Sequence, residues 1–365
     1  MPLLLLCLCF WWGCGDRATG PKGEDSRLVG GVDFTSLFAP PTSAELALIA
    51  ADWESRPAPQ SAADTLYRAS LSLGRRRASL CVLAYEVEGL RQYGALLVPD
   101  GAAPGSLPLV VYLHGGDQGI SMEEFLLVSL GLGEDRDQYA YALPSFRSEA
   151  LRYGQEVFLS EGEASPWDRD VDDALGLVAV ALAVEPAIDP QRLGAVGISR
   201  GGAVALLLAQ REPRLRRVVE FFGPTDLLDE FGQEVAAEVL QGQPRPLPGV
   251  EYLTRTLLLP LRLGALSLEE ARLGLIRRSP VYFAGRLPAV QVHHGTADPL
   301  VPVGQARRLA QAMEGLGRAA PEFEVHIYPE GSHHPLSLPG SLERTQAFLS
   351  PLRQPAPAYG AALPY

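Results

Sequence analysis

Gly197-Ile198-Ser199-Arg200-Gly201, with Gly202 following, forms a G-x-S-x-G segment whose meaning depends on its flanks. RLGAVG ahead of it reads as a buried strand and GGAVALLLAQ behind it as a helix. That is the strand-turn-helix setting in which a serine is presented on a sharp turn as a nucleophile. Glycines let neighbouring chain approach such a turn, and the amino terminus of the helix offers N–H groups to a developing oxyanion. A serine hydroxyl alone is a weak nucleophile, so an orienting acid and a histidine base are expected after it, in that order. Asp298, in HHGTADPLVP just past an apolar strand, fits the acid, with Asp226 in FFGPTDL as its competitor. His333 and His334, in YPEGSHH, compete as base, whereas His114, His293, His294 and His326 lie in or against strands and read as structural. The segment His114-Gly115-Gly116-Asp117 follows another apolar strand. Its Gly116 and Asp117 amides, with the amide of Arg200, are the expected oxyanion donors. The chemistry implied is acyl transfer through a covalent serine ester, with no metal or organic cofactor.

Such residues must be delivered to one edge by the fold. LPLVVYLHGG is a near-continuous apolar run, typical of a strand covered on both faces. After it come a helix around Met122 to Leu132, a strand YAYALP, a helix opening at Ser165, the strand before Ser199, and the strand RVVEFFG. LPAVQVHHG and EFEVHIYP then flank a helix around Gly304 to Met313. Repeated strand-helix-strand units predict an α/β class: a mostly parallel, doubly wound sheet with helices on both faces, as in the α/β-hydrolase fold. SLCVLAYEVEG and LRQYGALLVPDG around Glu88-Gly89 predict a hairpin. Residues 33–78 are expected to form a helical extension of two short helices, opened by Thr42 with Glu45 and by Ser61 with Asp64. The alternation breaks after Asp226, and residues 228–280 read as a helical lid, with Leu257 to Leu259 expected to line the cavity beneath it. The catalytic domain is therefore expected over 79–352, and a Pro-rich tail over 353–365.

YLHGG, LPSFR, SPWDRDVDDAL, GISRGG, HHGTADPLVP and YPEGSHH, in that order, resemble the catalytic domain of the prolyl oligopeptidase family, which includes dipeptidyl-peptidases and acylaminoacyl-peptidases. The resemblance implies Ser199, Asp298 and His333 as a triad acting on peptide or acyl bonds. It selects His333 over His334 because family members place the base five residues after the last strand's tyrosine, here Tyr328. The chain departs from the family upstream, where the extension is too short for a gating propeller, and in the insertion after Asp226.

The net charge of −12 and the single basic run Arg75 to Arg77 leave no broad positive surface, which argues against nucleic acid as a partner. A small-molecule ester or peptide substrate is expected instead. Leu3 to Trp12 is an apolar run too short to span a bilayer yet sufficient for a secretory signal over residues 1–14, followed by a flexible linker over 15–32. Gly13-Cys14 resembles a bacterial lipoprotein signal, which would attach lipid at Cys14 and anchor an exported protein to a membrane; an ordinary signal peptide or a misassigned start are the alternatives. With Cys14 acylated, Cys81 would have no disulfide partner. A small-peptide or acyl-amino-acid hydrolase leads the functional readings, a carboxylesterase follows, and a non-catalytic surface binding protein on the same scaffold is the reading from another class.

Overall fold

The computed structural model describes residues 27–354. A nine-stranded sheet runs through its centre. In chain order the strands are β1 (Ala63–Leu73), β2 (Arg76–Val87), β3 (Leu90–Pro99), β4 (Leu107–Leu113), β5 (Ala140–Pro144), β6 (Ile188–Ile198), β7 (Leu215–Phe221), β8 (Ala289–Gly295) and β9 (Phe323–Tyr328). Their spatial order is β9-β8-β7-β6-β4-β5-β3-β2-β1. From β9 to β5 all neighbours are parallel, and the first three strands join antiparallel.

The larger helices are α1 (Ser43–Ser55), α2 (Met122–Ser129), α3 (Arg169–Val184), α4 (Arg200–Arg211), α5 (Glu230–Leu240), α6 (Leu268–Arg277), α7 (Gly304–Gly315) and α8 (Ser341–Leu349). Two apolar cores lie on the two faces of the sheet: one takes side chains of α1, α3, α4 and α7, the other those of α2 and α8. β4 and β6 are buried along most of their length because both faces are covered. The chain leaves β4 toward β5 on one side and returns to β6 on the other, so a crevice opens at the carboxyl ends of β4 and β6.

Several expectations need correction. The helix read from Ser61 is instead the edge strand β1, whose exposure alternates along the chain and which pairs with β2 residue by residue. Period-two burial and the long partner strand outweigh the capping pattern of Ser61 and Asp64. The sheet therefore begins at Ala63, and only α1 of the two expected helices forms, with its Thr42–Glu45 capping box intact. The helix read from Ser165 begins at Arg169, because Trp167 adopts φ +59° and residues 165–168 make a tight turn first. A small three-stranded sheet, Ile120–Ser121, Ala150–Tyr153 and Glu156–Leu159, was not foreseen. The hairpin β2–β3 does turn at Glu88 and Gly89, both at positive φ. The segment 228–280 is helical, as α5, α6 and short helical turns between them, and its Phe231, Val235, Leu253 and Leu258 line one cavity with Ser199. The signal, linker and tail expectations over 1–26 and 355–365, Cys14 included, lie outside the described residues, but the end of the expected linker is ordered, with Leu28–Val29 paired antiparallel to Val32–Asp33. Among the described residues Cys81 is a free thiol.

Candidate active site

Ser199 is the residue between β6 and α4, with φ +55° and ψ −120°. A side-chain-bearing residue held there stores roughly 1–3 kcal/mol of backbone strain. Neighbouring backbone enforces it: the Ser199 amide donates to Phe221 O at 2.8 Å, and the Gly202 amide to Ser199 O at 2.8 Å. The flanking glycines are obligatory by contact. A Cβ at Gly197 would sit 2.0 Å from Gly201 O, and one at Gly201 would sit 2.0 Å from Leu113 O.

Asp298 and His333 leave β8 and β9 by loops at the same edge. His333 Nδ1 lies 2.7 Å from Asp298 Oδ2, and His333 Nε2 lies 2.9 Å from Ser199 Oγ. Asp298 Oδ1 accepts from the amides of Leu300 at 2.9 Å and Val301 at 3.0 Å. Burial pushes this carboxyl up, but the bond from His333 and the two amides outweigh it and hold it below its usual range. An ionised Asp298 requires the proton on His333 Nδ1, which leaves Nε2 as the acceptor of the serine proton. The ring of Phe222 packs 4.3 Å from His333 and fixes its face. His294, read from the sequence as structural, is buried and donates through Nε2 to Val301 O at 2.8 Å, bracing the loop that carries Asp298.

The competitors are engaged elsewhere. Asp226 accepts from the Tyr282 hydroxyl at 2.8 Å and from Arg308 Nε at 3.1 Å. His334, extended ahead of Pro335, accepts from the Leu336 amide at 3.1 Å.

Gly115 packs directly on the serine: a Cβ there would meet Ser199 Cβ at 3.1 Å and Ile198 O at 2.9 Å. Gly116 follows at φ +71°, so the Gly115–Asp117 loop bends around Ser199. The Arg200 amide opens α4 and has no carbonyl within the helix to bond. The side chain of Arg200 was not singled out in the sequence. It is one of the largest fully buried side chains, donating from Nε and Nη2 to Asp170 at 2.8 Å each and from Nη1 to Glu149 and, at 3.1 Å, to Gly116 O. An arginine at the start of an otherwise apolar helix was the one available signal.

Glu220 on β7 is fully buried under the same turn, where its Oε1 accepts from the Gly223 amide and its Oε2 has no partner. Burial pushes its carboxyl up to about 8, the Gly223 amide opposing only in part.

A cavity of about 80 Å³ reaches Ser199 beneath the lid, with Trp167, Phe231, Val235, Leu253, Leu258 and Leu275 among its walls. Leu258 alone of the expected Leu257 to Leu259 lines it; Leu257 turns to Gly274 and Leu259 is partly exposed. Arg200 is the one charged residue on its wall, and its guanidinium is fully engaged. A larger groove of about 790 Å³, between the end of α1 and the end of α4, touches none of the three hydrogen-bonded residues. Among the described residues no group of three His, Cys, Asp or Glu side chains is arranged to hold a metal ion.

No family model and no curated protein matches this chain in sequence. Solved structures do match. An acetyl xylan esterase from Thermoanaerobacterium sp. JW/SL YS485 is 17% identical with a TM-score of 0.58, over 86% of this chain and 95% of that one. Acetyl xylan esterase from Paenibacillus sp. R4 is 16% identical with a TM-score of 0.56, over 87% and 98%. A puromycin-hydrolyzing peptidase of Mycobacterium tuberculosis is 21% identical with a TM-score of 0.50, over 74% of this chain and 39% of that one. The strand order, the helices on both faces and these likenesses together establish that this chain has the α/β-hydrolase fold.

Proposed function

We propose that the protein is a serine hydrolase that cleaves esters of short, uncharged acyl groups, with Ser199 as nucleophile, His333 as base and Asp298 as the acid that orients it. The observation that carries this reading is the unbroken chain Asp298 Oδ2, His333 Nδ1, His333 Nε2, Ser199 Oγ, at 2.7 and 2.9 Å. Ser199 Oγ attacks the acyl carbon while its proton passes to His333 Nε2, and Asp298 stabilises the imidazolium. His333 then gives that proton to the departing alkoxide oxygen. Water attacks the acyl-enzyme by the same route, releasing the acid and restoring Ser199.

The cavity supports the substrate class. Its walls are apolar and offer no free charge to a terminal ammonium or carboxylate. A single water takes up roughly 10–15 Å³ of such space, so the cavity fits an acyl chain of a few carbons. This favours a carboxylic ester over a substrate recognised by a free amino terminus. An acyl-aminoacyl amide, blocked at both ends and neutral as well, is the second reading, supported by the sequence resemblance.

Stoichiometric labelling of Ser199 by a fluorophosphonate, with turnover of p-nitrophenyl butyrate exceeding that of an acyl-aminoacyl amide, is the expected result. Absence of both labelling and turnover would favour a binding protein on a hydrolase scaffold. Export with a lipid on Cys14 is proposed from the amino-terminal sequence; mass spectrometry of the mature amino terminus in a bacterial host tests it, and a free terminus elsewhere removes the lipid.

A further inference from the structure

Behind the Gly115–Asp117 loop lies a buried polar cluster that the triad does not use. Glu149 is its centre, buried to 4% exposure and bonded through Oε1 to Arg200. Its other oxygen, Oε2, faces His114 Nε2 at 3.5 Å, and each of these two atoms lacks any hydrogen-bond partner. His114 Nδ1 in turn donates to Gly115 O at 3.1 Å, while Arg200 Nη1 donates to Gly116 O at 3.1 Å. Phe146 lies against both groups, 4.5 Å from the His114 ring and 5.0 Å from the Arg200 guanidinium. So two consecutive carbonyls of the loop are drawn to one carboxyl group, one through each arm.

The geometry has a consequence for the amides. A trans peptide is planar, so its N–H points opposite to its C=O. Drawing Gly115 O and Gly116 O inward turns the N–H groups of Gly116 and Asp117 outward. Gly115, in contact with Ser199, fixes which part of the molecule they pass. Replacing buried ionic groups by apolar ones of similar volume is often neutral or stabilising, so a fully buried arginine between two acidic side chains is poorly explained by stability alone.

We propose that Glu149 is the positioning residue of the oxyanion hole, holding the Gly116 and Asp117 amides toward Ser199 through Arg200 on one arm and His114 on the other. The arrangement needs one proton between Glu149 Oε2 and His114 Nε2, since two facing lone pairs repel. Burial, with Arg200 beside it, pushes His114 down to about 3, so the ring is neutral; burial pushes Glu149 up to about 7, so the proton belongs to the carboxyl. The charged and titratable groups facing Glu149 are Arg200, His114, Asp170 and Asp117, with Arg200 opposing the shift and the two aspartates adding to it. Above neutral pH the carboxyl ionises and the His114 arm loses its link.

The inference rests on the hydrolase reading, and the experiment separates the two. With p-nitrophenyl butyrate, Glu149→Leu is expected to lower kcat about a hundredfold, the usual effect of losing an oxyanion donor, with KM within about threefold. Glu149→Gln, whose amide can donate to His114 and accept from Arg200, should keep at least about a third of wild-type kcat at pH 6 and lose the decline that the wild type shows above neutral pH. His114→Phe, which retains the stacking on Phe146, should lower kcat about tenfold and serves if Glu149→Leu does not fold. A folded Glu149→Leu or His114→Phe with wild-type kcat overturns the proposal, as does a Gln variant as impaired as Leu. A wild-type protein without turnover or labelling would instead overturn the hydrolase reading itself.

Discussion

A serine held at φ +55° and hydrogen-bonded to an oriented imidazole has one competent proton acceptor, and its replacement is correspondingly costly. Ser199→Ala is expected to lower kcat on the order of a million-fold while leaving the melting temperature near the wild-type value. Residual activity above about a thousandth would remove Ser199 from the role. His333→Gln should cost about as much, because the pair acts as a unit, whereas His334→Gln, whose ring only caps the turn to Leu336, should cost tenfold or less. Steady-state kinetics of the two variants ranks them, and the reverse order would move the base to His334. Ser199, Asp298 and His333 were legible because each sits just past an apolar strand, and strand ends share an edge in a parallel sheet. Glu149, Asp170 and the side chain of Arg200 were not. Their partners lie 51 and 30 residues apart in the chain, and no local pattern announces a pairing over that distance.

Over residues 228–280 sequence and structure agree on helical character and part on its detail. Helical character from 228 to 280 was visible in composition, but which leucine faces the serine depends on packing around a π-helical turn at Thr254–Leu258 that no period reveals. Leu258 is the one that does. Leu258→Ala should enlarge the cavity and raise kcat/KM for a p-nitrophenyl octanoate relative to the butyrate, at about 2–5 kcal/mol of stability. An unchanged ratio between the two esters in a folded variant would take selectivity away from the lid. The strand β1 was misread for a related reason: seven residues, TLYRASL, satisfy a capping pattern at one end and alternate in burial along their length, and the sheet edge decides between them.

On the scale of the whole molecule, stability and pH are coupled through buried carboxyls that the fold holds above their usual range. Burial pushes Glu220 up to about 8, Glu149 to about 7, and Asp173 and Asp229 to about 6 each. In the unfolded chain such groups ionise near pH 4. Below that, both states hold the proton and the contribution to stability is intact; as pH rises toward the folded values the unfolded state is favoured progressively. The buried neutral His114 and His293, held down to about 3, act in the opposite sense wherever the unfolded chain takes up protons on them, below about pH 6.5, so the melting temperature of wild type should fall between about pH 7 and pH 8. Glu220→Gln, which keeps an acceptor for the Gly223 amide, should melt close to wild type at pH 5 and above it at pH 8. A gap between the two proteins that does not widen with pH would mean that Glu220 is ionised in the folded state.

Glu220 lies beneath the turn that carries Ser199, and this ties unfolding to the solvent in a way that catalysis does not. Around neutral pH the folded chain holds a proton there that the unfolded chain gives up, so melting is accompanied by net proton release. Calorimetric enthalpies of unfolding should then vary with the ionisation enthalpy of the buffer, and the slope of that dependence counts the protons set free.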